Sequence, residues 1–224
     1  MSRYDRLTVY NTMLADGMVP LFYHADITVA TNVSLALARG GARLLEFTNR
    51  GDFAIEVFSA LVTRLAQEQS QMIIGVGTVD DPATAALYIQ YGANFVVAPT
   101  FNPDVARMCN RRKVAYLPGV ATVSEIALAE EFGAEIVKLF PAETAGGPTF
   151  VKAVLAPRPW TRIMPSGGVT TDEANLRTWF EAGVACVGMG SQLVKSAWVA
   201  AGDYTAIEHE TTAVLQRIRS IRGR

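Results

Sequence analysis

The chain has 224 residues, half of them hydrophobic and 18% charged, with a formal net charge of −1. That size and apolar content suffice for one substantial core, so a single domain over 1–224 is expected, a length at which α/β barrels are common. A near-neutral balance gives no electrostatic pull toward nucleic acid or an anionic membrane surface, and neither is expected as a partner.

In chain order, residues 1–17 lack the positive-then-apolar layout of a secretory leader and read as an extra helix at the closed end of the fold. Apolar runs bounded by Gly, Pro, Asp or Thr then give eight short strands, ending near Tyr23, Thr48, Thr78, Thr100, Val120, Pro141, Gly167 and Ser191. Helical segments fall between them at 28–39, 53–69, 82–91, 103–112, 123–132, 149–155 and 172–182, with a last stretch after Leu193. Asp81-Pro82 and Asn102-Pro103 place an N-cap before a proline at the first helical position, and Gly92, Gly133 and Gly183 follow helices as stop signals. A helix-Gly-Ala-strand joint recurs at Gly41-Ala42, Gly92-Ala93 and Gly133-Ala134. Eight such units predict a (β/α)₈ TIM barrel preceded by an N-terminal helix. A doubly wound open sheet is the alternative, since strand order is not written in the sequence.

No uncharged apolar stretch reaches the roughly eighteen residues of a bilayer span. Cys109 and Cys186 have neither CxxC nor metal-ligand spacing, so reduced thiols and a cytoplasmic location are expected.

In a barrel the loops after the strands build the active site, which directs attention to polar residues late in strands. Lys138 lies in Glu135-Ile136-Val137-Lys138-Leu139-Phe140-Pro141, where alternation groups Ile136, Lys138 and Phe140 on one face. Burying an ammonium is costly, and the neutral amine is the form that adds to a carbonyl. The plainer reading buries only the stem and lets the head reach solvent at the barrel mouth. Glu46 shares a strand face with Leu44 and Thr48. A pair with Lys138 inside the barrel would serve as a structural ion pair or as a proton-transfer device. Arg50, just past that strand, suits a substrate carboxylate, although arginines at strand ends are commonly surface residues. Pro165-Ser166-Gly167-Gly168 and Gly188-Met189-Gly190-Ser191 follow the seventh and eighth strands, where backbone N–H groups can cradle phosphate or the glycines merely turn the chain. The two histidines, His24 and His209, are far apart, no carboxylate-histidine cluster has ligand spacing, and no metal is expected. His24 itself reads as a rim or packing residue.

Taken in order, Leu45-Glu46-Phe47-Thr48-Asn49-Arg50, Gly75-Val76-Gly77-Thr78, Ala98-Pro99, Leu117-Pro118-Gly119-Val120, Lys138-Leu139-Phe140-Pro141-Ala142-Glu143 and Pro165-Ser166-Gly167-Gly168 resemble the 2-keto-3-deoxy-6-phosphogluconate and 4-hydroxy-2-oxoglutarate aldolases. The resemblance spans most of the chain. It implies a class I aldolase with no cofactor, in which Lys138 forms a Schiff base with a small keto acid and Glu46 moves protons through a bound water. It also implies that Arg50 binds the pyruvate carboxylate, that Thr78 and Pro99 line the keto-acid pocket, and that Phe140 stands beside the imine. Gly167, Gly168, Gly190 and Ser191 map onto the phosphate end, and a homotrimer is implied. Ser166 stands where members often carry threonine, and Asn49-Arg50-Gly51-Asp52 replaces a commoner Leu-Arg-Thr. Two other functions are open on the residues alone: a phosphosugar isomerase or other phosphometabolite barrel without an imine, and a non-catalytic phosphometabolite-binding scaffold.

Overall fold

The computed structural model describes residues 3–68 and 71–223. It opens with α1 (Arg6–Asp16), held at its start by the Asp5 side chain accepting from the Thr8 N–H. Residues 1 and 2 of the expected 1–17 helix, and Gln69 at the end of the expected 53–69 helix, lie outside the described residues.

Strands and helices then alternate as β1 (Met18–Phe22), α2 (Ile27–Arg39), β2 (Leu44–Thr48), α3 (Ala54–Gln67), β3 (Ile73–Gly77), α4 (Pro82–Gln90), β4 (Phe95–Val97) and α5 (Pro103–Arg112). There follow β5 (Ala115–Leu117), β6 (Gly119–Val120), α6 (Val123–Glu131), β7 (Val137–Leu139), α7 (Gly147–Leu155), β8 (Ile163–Pro165), α8 (Glu173–Glu181), β9 (Val187–Met189), α9 (Ser196–Ala201) and α10 (Tyr204–Ile221). The capping signals act as expected. Asp81 accepts from the Ala83 and Thr84 N–H groups, and Asn102 from those of Asp104 and Val105, each ahead of a first-turn proline.

Three expectations need correction. The run ending at Val120 is two strands, because Pro118 has no N–H to donate and breaks the ladder. Six strands stop short of the ends expected near Tyr23, Thr78, Thr100, Pro141, Gly167 and Ser191; the residues beyond have turned out of the ladder into loops. Helix α7 begins at Gly147 rather than 149, while the stretch after Leu193 is helical as expected, in two helices separated at Gly202.

All strand pairs are parallel, in a six-stranded order β5-β4-β3-β2-β1-β9 and a three-stranded order β6-β7-β8. β1 is flanked by β2 and β9, so the curled sheet lacks the reversal of strand order that a doubly wound sheet requires. The two sheets touch at a parallel bridge between Ser166 and Gly188, and the Ala185 N–H donates to the Ile163 carbonyl at 2.9 Å.

Two apolar layers result. The larger packs the helices on the outward strand residues, such as Leu45, Phe47, Val137 and Leu139. The smaller joins inward residues, Val19, Leu44, Ile73, Phe95, Ala115 and Met164, to Val9, Tyr10 and Met13 of α1. Helix α1 therefore plugs the end of the sheet where the strands begin. Its Tyr10 hydroxyl donates to the Tyr116 carbonyl at 3.2 Å and accepts from the Tyr116 N–H at 3.1 Å, satisfying backbone of β5. Burial pushes this phenol up to about 12, so it stays a donor. Tyr10→Phe strands both Tyr116 groups, and urea unfolding should show stability reduced by about 1–3 kcal/mol. Among the described residues no helix is long and apolar enough to cross a membrane.

Candidate active site

Strand alternation puts Leu44, Glu46 and Thr48 of β2 on the inner face and Leu45 and Phe47 on the outer. On β7 it turns Lys138 inward between the outward Val137 and Leu139. Those two choices bring together residues nearly a hundred positions apart. Lys138 Nζ lies 3.6 Å from Glu46 Oε1, with side chains only 8% and 1% exposed. Among the described residues, neither carboxylate oxygen of Glu46 finds a hydrogen-bond donor. A carboxylate fully removed from water in this way is costly unless something else satisfies it, so its lone pairs stand ready for a hydroxyl presented to them.

The neighbouring strands make room for the pair. A Cβ at Gly77 would come within 1.9 Å of Glu46 Oε1, so only glycine lets the carboxylate sit against β3. Next to Gly77, Thr78 has a φ of +62°, a strained conformation for a β-branched residue. On the other side the Lys138 N–H donates to the Pro118 carbonyl at 2.8 Å, and Gly119, paired with Lys138, packs so closely that a Cβ would meet the Pro99 carbonyl. The Phe140 ring lies 5.1 Å from Lys138 Nζ, presenting its face to the cation.

Above the pair opens a cavity of about 1070 Å³. Thr48, two residues beyond Glu46, and Phe140, two residues beyond Lys138, border it, while Glu46 and Lys138 themselves lie behind its wall. Arg50, Ser166, Gly167, Gly168, Gly190 and Ser191 border it too. Thr78 and Pro99 do not: they stand half-buried at the ends of β3 and β4, beside the ion pair and outside the cavity wall.

Arg50 is exposed and, among the described residues, makes no ion pair. Its loop is nonetheless held. The Asn49 N–H donates to the Gly77 carbonyl at 2.8 Å, the Asn49 side chain accepts from the Tyr88 hydroxyl at 2.8 Å, and Gly51 lies against the Tyr23 phenol. Desolvation pushes the Tyr88 phenol up to about 12, which keeps it a donor. At the opposite wall Gly167 and Gly168 have φ of +93° and +76°, consecutive left-handed residues that turn backbone into the cavity as a side-chain-bearing pair could not without strain.

Sequence reasoning missed some of the wall. Tyr23, Glu143 and Gln192 border the cavity without having been singled out, alongside His24, whose place there agrees with the expected rim position. For Tyr23, a position at the end of β1, on the face where the other strand ends carry function, was the available signal. Neither cysteine competes for the nucleophile's role: Cys109 and Cys186 are buried, with thiols pushed up to about 12 by desolvation.

A buried amine beside an unsatisfied carboxylate, under a cavity with an arginine at one wall and paired glycine turns at the other, defines an α/β enzyme equipped for imine chemistry on a small anionic carbonyl compound. Residues 9–210 match the family described as KDPG and KHG aldolase. The chain is 39% identical over 183 residues to a 2-dehydro-3-deoxy-phosphogluconate aldolase of Pseudomonas aeruginosa, covering 81% of this chain and 80% of that one. It is 33% identical to a KHG/KDPG aldolase of Escherichia coli, covering 89% and 92%. It also superposes, with a TM-score of 0.83 and 27% identity over 92% of this chain and 97% of the other, on a KDPG aldolase from Legionella pneumophila crystallised with pyruvate as a covalent carbinolamine. The chain belongs to the KDPG and KHG aldolase family.

Proposed function

We propose that this protein is a carbon-carbon lyase that cleaves 2-keto-3-deoxy-6-phosphogluconate, or 4-hydroxy-2-oxoglutarate, to pyruvate and an aldehyde through a Schiff base on Lys138. The observation that carries the reading is the Lys138–Glu46 pair, sealed from water with both carboxylate oxygens unsatisfied. The relatives' names and the covalent pyruvate of the Legionella enzyme support it.

The neutral amine of Lys138 adds to the C2 carbonyl, giving a carbinolamine that loses water to an iminium. Glu46, directly or through a water, takes the C4 hydroxyl proton. The O–H pair becomes the new C4 carbonyl, and the C3–C4 bonding pair flows into an enamine whose electrons the iminium nitrogen receives. The aldehyde leaves, which is glyceraldehyde 3-phosphate from the six-carbon acid and glyoxylate from the five-carbon one. Protonation at C3 and hydrolysis of the imine then return pyruvate and free amine. Phe140 stabilises positive charge on the imine nitrogen through its ring face. Thr78 and Pro99 flank the keto-acid end, Arg50 takes the C1 carboxylate, and Ser166, Gly167, Gly168, Gly190 and Ser191 hold the distal group, a phosphate in the longer substrate.

Measuring pyruvate release from each acid tests the function directly; turnover of neither overturns it. For Arg50→Ala we expect a KM raised about ten- to a hundredfold with kcat less affected, because a charge-assisted carboxylate contact contributes mostly to binding. Steady-state kinetics in which KM is unmoved would remove Arg50 from the carboxylate site.

We further read the two sheets as one closed eight-stranded barrel in which β5 and β6 are a single strand interrupted at Pro118. The Ser166–Gly188 bridge and the inner apolar layer, drawn from around the whole sheet, support this. The chain is then one domain over 1–224. A homotrimer in the cytoplasm completes the proposal, with exposed Phe53 and Trp160 among the apolar residues available for assembly.

A further inference from the structure

Four groups that border the cavity stand at the ends of strands that are neighbours in space. Arg50 follows β2, His24 follows β1, Gly190 and Ser191 follow β9, and Ser166 to Gly168 follow β8. Because β1 lies between β2 and β9, His24 sits between the arginine and the glycine turns. A substrate that puts its C1 carboxylate on Arg50 and its far end on the β8 and β9 turns must pass His24 on the way.

The imidazole is already oriented for one task. His24 Nδ1 lies 3.0 Å from the Asp26 N–H, which can only donate, and 3.4 Å from the Asp26 carbonyl, which can only accept; the shorter contact assigns Nδ1 as acceptor and places the ring proton on Nε2. His24 is half-buried and borders the cavity. Chain position then selects its partner. C2 is bound to Lys138 and the C4 hydroxyl is turned down to Glu46, both deep below the wall. The next oxygen toward the β8 and β9 turns is on C5.

We propose that His24 is a specificity-determining residue, whose Nε2–H donates to the oxygen on substrate C5. That oxygen is a hydroxyl in the six-carbon acid and a carboxylate oxygen in 4-hydroxy-2-oxoglutarate. The inference rests on the aldolase reading above. His24 takes no part in forming the imine, and it discriminates in favour of aldehydes that carry an oxygen next to the new carbonyl.

The test compares 4-hydroxy-2-oxoglutarate with 4-hydroxy-2-oxopentanoate, which has a bare methyl at C5. Wild-type enzyme should prefer the first in kcat/KM, and His24→Leu should shrink that ratio about tenfold, the loss expected from one hydrogen bond. His24→Gln, which keeps an N–H at similar reach, should restore most of it. The ratio is taken on one enzyme sample, so partial misfolding of a variant cancels. An unchanged ratio, an equal loss on both acids, or no rescue by glutamine overturns the role of His24. Failure of the wild-type protein to form a borohydride-reducible adduct with pyruvate would instead overturn the underlying aldolase reading, and the two failures are separately visible.

Discussion

Lys138→Ala should lower turnover at least about 10⁴-fold, as removal of a covalent nucleophile does when no neighbour can replace it. No neighbour can. The chain has four lysines, and the other three, Lys113, Lys152 and Lys195, are solvent-exposed at helix ends and loops. Incubation with pyruvate and borohydride followed by peptide mass mapping should find wild-type enzyme reduced at Lys138 and the variant unmodified. An adduct on another lysine, or a variant that still cleaves substrate, refutes the covalent route. Circular dichroism guards against the trivial explanation, because a fold lost with the side chain would also lose activity.

Glu46→Gln is the second large effect, with kcat reduced about 10²- to 10⁴-fold and KM changed far less. Glutamine has the same shape, and Gly77 leaves room for it, so the substitution removes a proton acceptor and little else. The measurement also separates the two roles the pair could have. If Glu46 only neutralises Lys138, the amide variant should bind and cleave nearly normally once folded. If it carries protons, the pyruvate adduct should still be trapped, more slowly, while bond cleavage stalls.

Much of this was legible before any coordinates. Period-two alternation grouped Lys138 with Ile136 and Glu46 with Leu44 on shared strand faces, though it did not say which face turns inward, and the caps at Asp81 and Asn102 marked helix starts correctly. The failures have physical causes. Propensity does not say where a ladder ends, so residues such as Thr78 and Ser191 were drawn into strands that they in fact leave. Pro118 was visible, but its effect depends on whether the neighbouring strand needs its N–H. The distance between Lys138 and Glu46 is set by strand order, which no local pattern encodes. His24 stands at the rim as expected, but a single histidine at a strand end carries no periodic signal from which a further role could be read.

The plug formed by α1 bears on how molecules come and go. With Tyr10 and its neighbours shutting the far end, traffic at the reacting lysine shares one doorway. The portion anchored deepest arrives ahead of the rest and departs after it. In the proposed mechanism the aldehyde, the end farther from Lys138, is released while its former partner is still tethered to the nitrogen. Pyruvate is then the last to go and the one product that meets an empty enzyme, so it competes with incoming substrate as the aldehyde does not.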